Sequence, residues 1–311
     1  MLNTNISIKK VFGDLHTHSS ASDGDLSPSQ VVIEAKRLNL RALALTDHDT
    51  LGGLLEAVLE GKKLDIPIIP GIEISLRYNR QNFVGTIHYL VYFSETLLKH
   101  TDFTSEISNL LSQGRGHSLV ETRVNTINSL FGPNGSLDRI LKYPLTVEEI
   151  QTQGQNITRR HFQLVLTNIH GLDEKTASYL INNQSPAYIP SGIDINLLKS
   201  LFERFHLLQI LAHPAAGSFP GPSVYKEVLP PFEIIKNLIP ELLEFGLDGL
   251  EVYHPGHTIE HVNALKQLAQ KYNLLLTGGS DFHDLHKRPM GIAGVNENEF
   301  NIFLERLKKQ H

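Results

Sequence analysis

Apolar positions along this chain follow two periods in turn. Short apolar runs end repeatedly in histidine or an acid, and longer stretches carry apolar residues three and four apart. Val11-Phe12-Gly13-Asp14-Leu15 reads as a short strand ending at His16. Ser27-Pro28 opens a helix, with Ser27 as N-cap and Pro28 at the first helical position. Val31, Val32, Ala35 and Leu38 share one face of that helix. Arg41–Thr46 is a second strand, ending in Asp47-His48-Asp49, and Thr50 can cap a helix running to about Lys62. Ile66–Pro70 with Gly71–Ser75 forms a third extended stretch. Val84–Val91 forms a fourth, after a polar turn at Tyr78–Asn82.

The pattern then changes. From about His100 to Pro190 helical periods appear without a convincing strand: Phe103–Ser112, Leu119–Leu130, Thr146–Gln153, Thr158–Ile169 and Asp173–Asn182. Thr146 and Glu149 have the spacing of a capping box. Alternation returns with strands at Leu207–Ala212, Gly249–Tyr253 and Leu274–Thr277, and with helices at Phe232–Phe245, Thr258–Tyr272 and Glu297–Lys309. The expected class is α/β, with a parallel sheet, open or closed into a barrel. Residues 1–99 and 191–311 are assigned to that unit, and 100–190 to a helical insertion serving as a substrate cap.

Composition narrows the chemistry. The 311 residues, 41% hydrophobic and 20% charged, suit a globular protein with a sizeable core. Cysteine is absent, which removes disulfides and thiolate metal sites and fits a cytoplasmic location. Met1–Ser7 has no apolar run, so a secretory signal is not expected, and no segment suits a bilayer. A net charge of -5 argues against a broad basic surface for duplex nucleic acid, but not against a small anionic substrate gripped locally.

The unusual count is 16 histidines. In parallel barrels functional groups sit at the C-terminal ends of strands. His16, His18, His48, Glu73, His88, His213, His254, Asp281 and His283 all fall at such ends. Residues two apart on an extended segment point the same way, so His16 with His18, and Asp281 with His283, can each grip an ion from one side. Imidazole with carboxylate suits zinc, manganese or iron. Glu73 has two oxygens and can bridge ions roughly 3.5–4 Å apart. Asp47 and Asp49 are expected as caps or hydrogen-bond partners. His100, His117, His170, His206, His261, His286 and His311 have no such pattern and are expected on the surface. One His-x-His is weak evidence; the conjunction is strong.

Asp14-Leu15-His16-Thr17-His18-Ser19 with Ser22-Asp23-Gly24, Thr46-Asp47-His48-Asp49, Gly71-Ile72-Glu73, His88, Ala212-His213-Pro214 and Ser280-Asp281-Phe282-His283 resemble, in order, the motifs of the PHP (polymerase and histidinol phosphatase) family. The match covers about residues 11–91 and 207–294. The resemblance implies a distorted (β/α)7 TIM-like barrel holding two or three divalent ions (manganese, zinc or iron). It implies one ion on His16, His18, Glu73 and Asp281, a second on Glu73, His88 and His213, and a third on Asp23, His48 and His283. Some members carry histidine where this chain has Asp23.

Within the family the chain looks closest to the branch with a helical insertion, which is similar to phosphatases of 3',5'-bisphosphates. Thr158-Arg159-Arg160-His161 resembles that branch's Arg-Pro-His segment, with Arg160 in place of proline. Glu251-Val252-Tyr253-His254-Pro255-Gly256-His257-Thr258 resembles a further motif of that branch, with His257 near the start of the next helix. The resemblance makes Arg159, His161 and His257 the expected substrate-binding residues, and His254 and Asp281 the expected catalytic ones. The activity implied is hydrolysis of a small nucleotide's phosphate ester by a metal-bridging hydroxide, with a metal or a protonated histidine helping the leaving oxygen. A 5'-to-3' exoribonuclease on short RNA, a histidinol-phosphate phosphatase, an amide hydrolase and a non-catalytic metal-binding module are the alternatives. No membrane partner is expected.

Overall fold

The computed structural model describes residues 11–154, 156–205, 207–221 and 223–309. The readings of Met1–Ser7, His206 and His311 lie outside them. Seven strands form one sheet in chain order: β1 (Gly13–Asp14), β2 (Ala42–Leu45), β3 (Ile68–Arg80), β4 (Phe83–Tyr92), β5 (Leu208–Leu211), β6 (Gly249–Tyr253) and β7 (Leu275–Gly278). Helices α1 (Pro28–Arg37) and α2 (Leu54–Leu64) cross between the first strands. Five more, α3 (Thr101–Arg115), α4 (His117–Phe131), α5 (Val147–Gln151), α6 (Arg159–Asn168) and α7 (Glu174–Leu180), lie between β4 and β5, followed by α8 (Lys199–Phe205). Then come α9 (Phe232–Glu244), α10 (Ile259–Tyr272) and α11 (Glu297–Lys309).

The sheet is not wholly parallel. β4 runs antiparallel to both β3 and β5, while the other pairs are parallel. The cause is local: only Gln81 and Asn82 separate β3 from β4, and so short a link permits only a hairpin. The hairpin register places Ser75 opposite His88. Glu73, two residues from Ser75, therefore shares a face with His88.

The ring closes where the ligand motifs lie. Leu15 N–H donates to Gly278 O at 3.2 Å, His18 N–H to Phe282 O at 2.9 Å, and Thr17 pairs with Phe282 in parallel register. The result is a nearly closed, distorted TIM-like barrel. Its strands are buried on both sides. Leu43 and Leu45 pack outward with Val31, Val32 and Ala57. Ala42 and Ala44 face an interior filled by Leu90, Tyr92, Ile210 and, from α11, Phe300 and Phe303.

The helices between β4 and β5 belong to two cores. α3 sends Phe103, Ile107 and Leu111 into the barrel core. The segment from Val120 to Ala187 has a core of its own, around Ile127, Phe162, Leu166 and Leu180. Separate packing therefore begins after α3 rather than at residue 100. The Thr146–Glu149 capping box is present. His170 is a correction: it is buried, stacks on Tyr143 at 4.6 Å and meets Glu149 at 3.4 Å, so an aromatic platform and an acid replace water around it. Among the described residues no helix is long and apolar enough to cross a membrane.

One glycine controls the closure. A Cβ on Gly279 would stand 2.3 Å from His16 Cβ and 2.5 Å from His16 N, and backbone contacts that close cannot be relieved by a rotamer change. Gly279→Ala is expected to cost about 1–3 kcal/mol of stability, the usual range for overpacking, and to weaken metal binding. Denaturant unfolding and metal titration measure the two effects.

Candidate metal centre

The site is built around Glu73, only 1% exposed. Its Oε2 lies 3.1 Å from His16 Nε2, from His18 Nε2 and from His48 Nδ1. Its Oε1 lies 2.9 Å from His88 Nδ1 and from His213 Nε2. Asp281 Oδ1 stands 3.5 Å from His16 Nε2 and 3.2 Å from His18 Nε2. His283 Nε2 stands 3.3 Å from Asp23 Oδ1. Three sets have donor atoms close enough to hold an ion: His16, His18, Glu73 and Asp281; His48, Glu73 and His88; and His18, Asp23, His48 and His283. His213 joins the second set through Glu73 Oε1 and through His88, 3.3 Å away. All nine residues named as ligands from the sequence thus come together.

The donors fit divalent cations. Nitrogen faces nitrogen, with His16 Nε2 and His18 Nε2 only 3.1 Å apart. Glu73 Oε2, His48 Nδ1 and Asp23 Oδ1 are buried without a hydrogen bond. Converging lone pairs of this kind are reconciled by protons or by metal ions. The nitrogen and oxygen donor set matches borderline metals.

Neighbours fix the ligands. His16 Nδ1 meets Glu251 Oε1 at 3.0 Å, which turns its Nε2 lone pair toward the centre. The other oxygen of Glu251 accepts from His213 N at 2.7 Å. His283 Nδ1 donates to Asp281 O at 2.7 Å, freeing Nε2 to face Asp23. Asp47 accepts from Ser19 N and Oγ and from Ser22 Oγ at 2.6–2.7 Å, shaping the loop that carries Asp23. Asp49 accepts from Ser75 N at 2.7 Å and pairs with Arg115. Asp14 accepts from Ser280 N and Oγ, joining β1 to the Asp281 loop; burial pushes its pKa up to about 6. Asp49, His213 and Asp281 have φ of 49°, 29° and 51°. Left-handed backbone at non-glycine residues costs on the order of 1–3 kcal/mol and clusters at functional sites.

Charge is distributed accordingly. Burial opposes the His18 cation, but the carboxylates of Asp281 and Glu73 beside it outweigh burial and raise its pKa to about 9. His16 is raised well above the usual range against burial, by Glu251 and Glu73. Glu73 and Asp281 stay ionised despite burial because imidazoles surround them. Burial lowers His254, and it lowers His257 to about 3.

The PHP domain family matches residues 14–245. The chain belongs to the PHP family. Among curated relatives, a phosphoribosyl 1,2-cyclic phosphate 1,2-diphosphodiesterase of Eggerthella lenta is 28% identical, covering 87% of this chain and 93% of its own. A 5'-3' exoribonuclease of Haemophilus influenzae is 29% identical, covering 87% and 89%. A 3',5'-nucleoside bisphosphate phosphatase of Chromobacterium violaceum is 25% identical, covering 87% and 86%. A solved structure from Bifidobacterium adolescentis, described as a metal-dependent phosphoesterase, superimposes with a TM-score of 0.72 at 23% identity, covering 94% and 96%. This PHP chain is an enzyme of the metal-dependent phosphoesterase class.

The other residues expected from the PHP resemblance make contacts of their own. His254 Nδ1 accepts from Gly256 N at 3.0 Å, and its Nε2 faces Asp281 Oδ2 at 3.7 Å. Arg159 pairs with Glu227 and donates to Val224 O at 3.3 Å. His161 Nδ1 accepts from Thr158 N at 2.9 Å, within the capping box of α6. His257 uses both ring nitrogens on backbone, Nδ1 to Val252 O at 2.9 Å and Nε2 from Ala215 N at 3.2 Å, so no ring N–H remains for a phosphate.

Sequence reasoning missed Glu251, Tyr225 and Arg288. Tyr225 Oη donates to Asp281 Oδ2 at 3.0 Å, and Arg288 Nη1 approaches the same oxygen at 3.3 Å. Glu251 had a signal, an acid in the middle of the apolar strand Gly249–Tyr253. Tyr225 and Arg288 had none.

Two outcomes follow for the centre. Glu251→Gln is expected to weaken metal binding roughly 10–100-fold, the usual cost of losing an outer partner of a metal-binding histidine, with little change in the melting temperature of the metal-free protein; titration with manganese(II) reads it. His16 and His18 carry protons in the metal-free protein, and these must leave when an ion binds. Apparent affinity should therefore rise with pH between about 6 and 9, where the raised pKa of His18 lies. Calorimetry in buffers of different ionisation enthalpy should register the released protons; pH-independent binding without release would contradict this charge assignment.

Proposed function

We propose that this phosphoesterase removes a phosphate from a small nucleotide, first of all the 3'-phosphate of a 3',5'-bisphosphate, using two or three divalent ions of the manganese, zinc or iron type. The observation that carries the reading is Glu73: its two oxygens face separate groups of imidazoles, as a bridge between neighbouring cations would. Ions held there would polarise the phosphoryl oxygens and supply hydroxide near neutral pH.

The chain's own groups supply the rest. The Gly256 N–H occupies Nδ1 of His254 and leaves the proton on Nε2, facing Asp281. Burial keeps this imidazole neutral, so in our reading it offers an N–H to a phosphoryl or leaving oxygen instead of standing as a cation. Asp281 would hold an ion, while Tyr225, Arg288 and His254 surround its Oδ2. Arg159, whose planar fork matches phosphate oxygens, binds the phosphate that is not cleaved, exchanging its contact with Glu227, and His161 lies two residues along the same helix. His257 supports the wall of the cleft through its two backbone bonds.

A small substrate is favoured over a polymer because the insertion closes on the barrel beside the centre. Arg115 joins Asp49 and Ser75 to Ile157 O, and Asn156 donates to His48 O. The activity named for the Chromobacterium violaceum relative agrees with this reading.

The manganese-loaded protein should release inorganic phosphate from adenosine 3',5'-bisphosphate and leave 5'-phosphorylated RNA oligomers intact. Stepwise release of mononucleotides would replace the proposal with an exoribonuclease, and activity confined to amides would sink it. His254→Ala should lower kcat about 10²–10⁴-fold with little change in KM, the scale of a lost proton-transfer or donor group. Arg159→Ala should mainly raise KM.

A further inference from the structure

The first turn of α6 carries two arginines that reach in opposite directions. Arg159 goes to Glu227 and Val224 O, on either side of Tyr225, whose hydroxyl sits on Asp281. Arg160 Nη1 donates to Asp23 O at 2.7 Å, and its Nη2 to Asp25 Oδ1 at 2.8 Å. The Asp25 N–H in turn donates to His283 O at 2.8 Å. Just before the helix, Asn156 Nδ2 donates to His48 O. The insertion thus touches the main chain of Asp23 and of His48 and reaches His283 through Asp25. These three, with His18, form one of the candidate ion sets. His18 and His48 also belong to the other two sets, but Asp23 and His283, the residues that Arg160 reaches directly and through Asp25, belong to this one alone.

We propose that Arg160 and Asn156 are positioning residues for the ion held by His18, Asp23, His48 and His283, and that loading of this ion is coupled to the order of the start of α6. Arg160 is suited to the task because two donors in one rigid plane fix both ends of the Asp23–Asp25 loop. Coupling follows from geometry: an ion that draws the Asp23 and His48 side chains together holds the backbone atoms to which Arg160 and Asn156 bind. By reciprocity, whatever orders α6 tightens the ion by the same factor. This inference rests on the ligand assignment above but not on the choice of substrate, so a protein inactive on every phosphate ester would leave it standing.

The test is titration of the full-length chain with manganese(II) alone, comparing the parent with Asp23→Ala, Arg160→Ala, Arg160→Lys and Asn156→Ala. Asp23→Ala identifies the class of site concerned. Arg160→Ala should weaken that class roughly tenfold or more, as removal of an outer partner does, and leave the other ions within about twofold. Arg160→Lys, which keeps one donor, should recover part of the loss. Manganese should slow amide hydrogen exchange in 156–166 in the parent and not in Arg160→Ala. The proposal is overturned if Arg160→Ala leaves the class unchanged, if it weakens every class equally as a general loss of structure would, or if the parent has no class that Asp23→Ala removes.

Discussion

A carboxylate enclosed by five imidazoles and nearly cut off from water is a severe electrostatic constraint. Burial opposes the charge on Glu73, and the imidazoles around it outweigh burial and keep it ionised. Charge must then be supplied by protons on the imidazoles or by cations between them. Most of the surrounding architecture serves that balance. The β3–β4 hairpin sets Glu73 and His88 on one face, β5 leads into His213, and the closure of the first strand on the last brings in His16, His18 and Asp281.

The closure explains why the centre lies at one end of the barrel. The opposite end is filled by aromatic side chains of α11 packed against Tyr92. At the ligand end the chain cannot be filled the same way, since backbone approaches backbone at Gly279 and left-handed conformations hold His213 and Asp281. Strain of this kind persists only where surrounding contacts over-determine it. Here Glu251 bonds the backbone of His213, and Asp14 pins Ser280 beside Asp281.

The insertion is more than a cover. Its own core is separate from the barrel's, yet α3 is packed into the barrel and Arg115 ties Asp49 and Ser75 to Ile157 O. The insertion is therefore joined to the segments that carry His48 and Glu73. Relatives of similar length carry names for three different phosphate substrates.

Much of this was legible in the chain itself. Period-2 and period-3.6 patterns located the strands and helices because burial of a face is a one-dimensional property. The convergence of His16, His18, Glu73 and their partners was legible because histidine and acid at strand ends have few structural reasons to be there. Other features are contacts between distant segments and leave no local trace. Tyr225 and Arg288 converge on Asp281 only through folding, both ring nitrogens of His257 are absorbed by backbone, and Arg160 meets Asp23 across 137 positions. The antiparallel place of β4 could have been read from its two-residue link, but alternation alone suggested otherwise. By itself the sequence determined the α/β elements and the residues able to bind metal, since residue type and spacing decide those. The tertiary structure alone decided which atoms face one another, since tautomer, charge and partner depend on distances the chain does not encode locally.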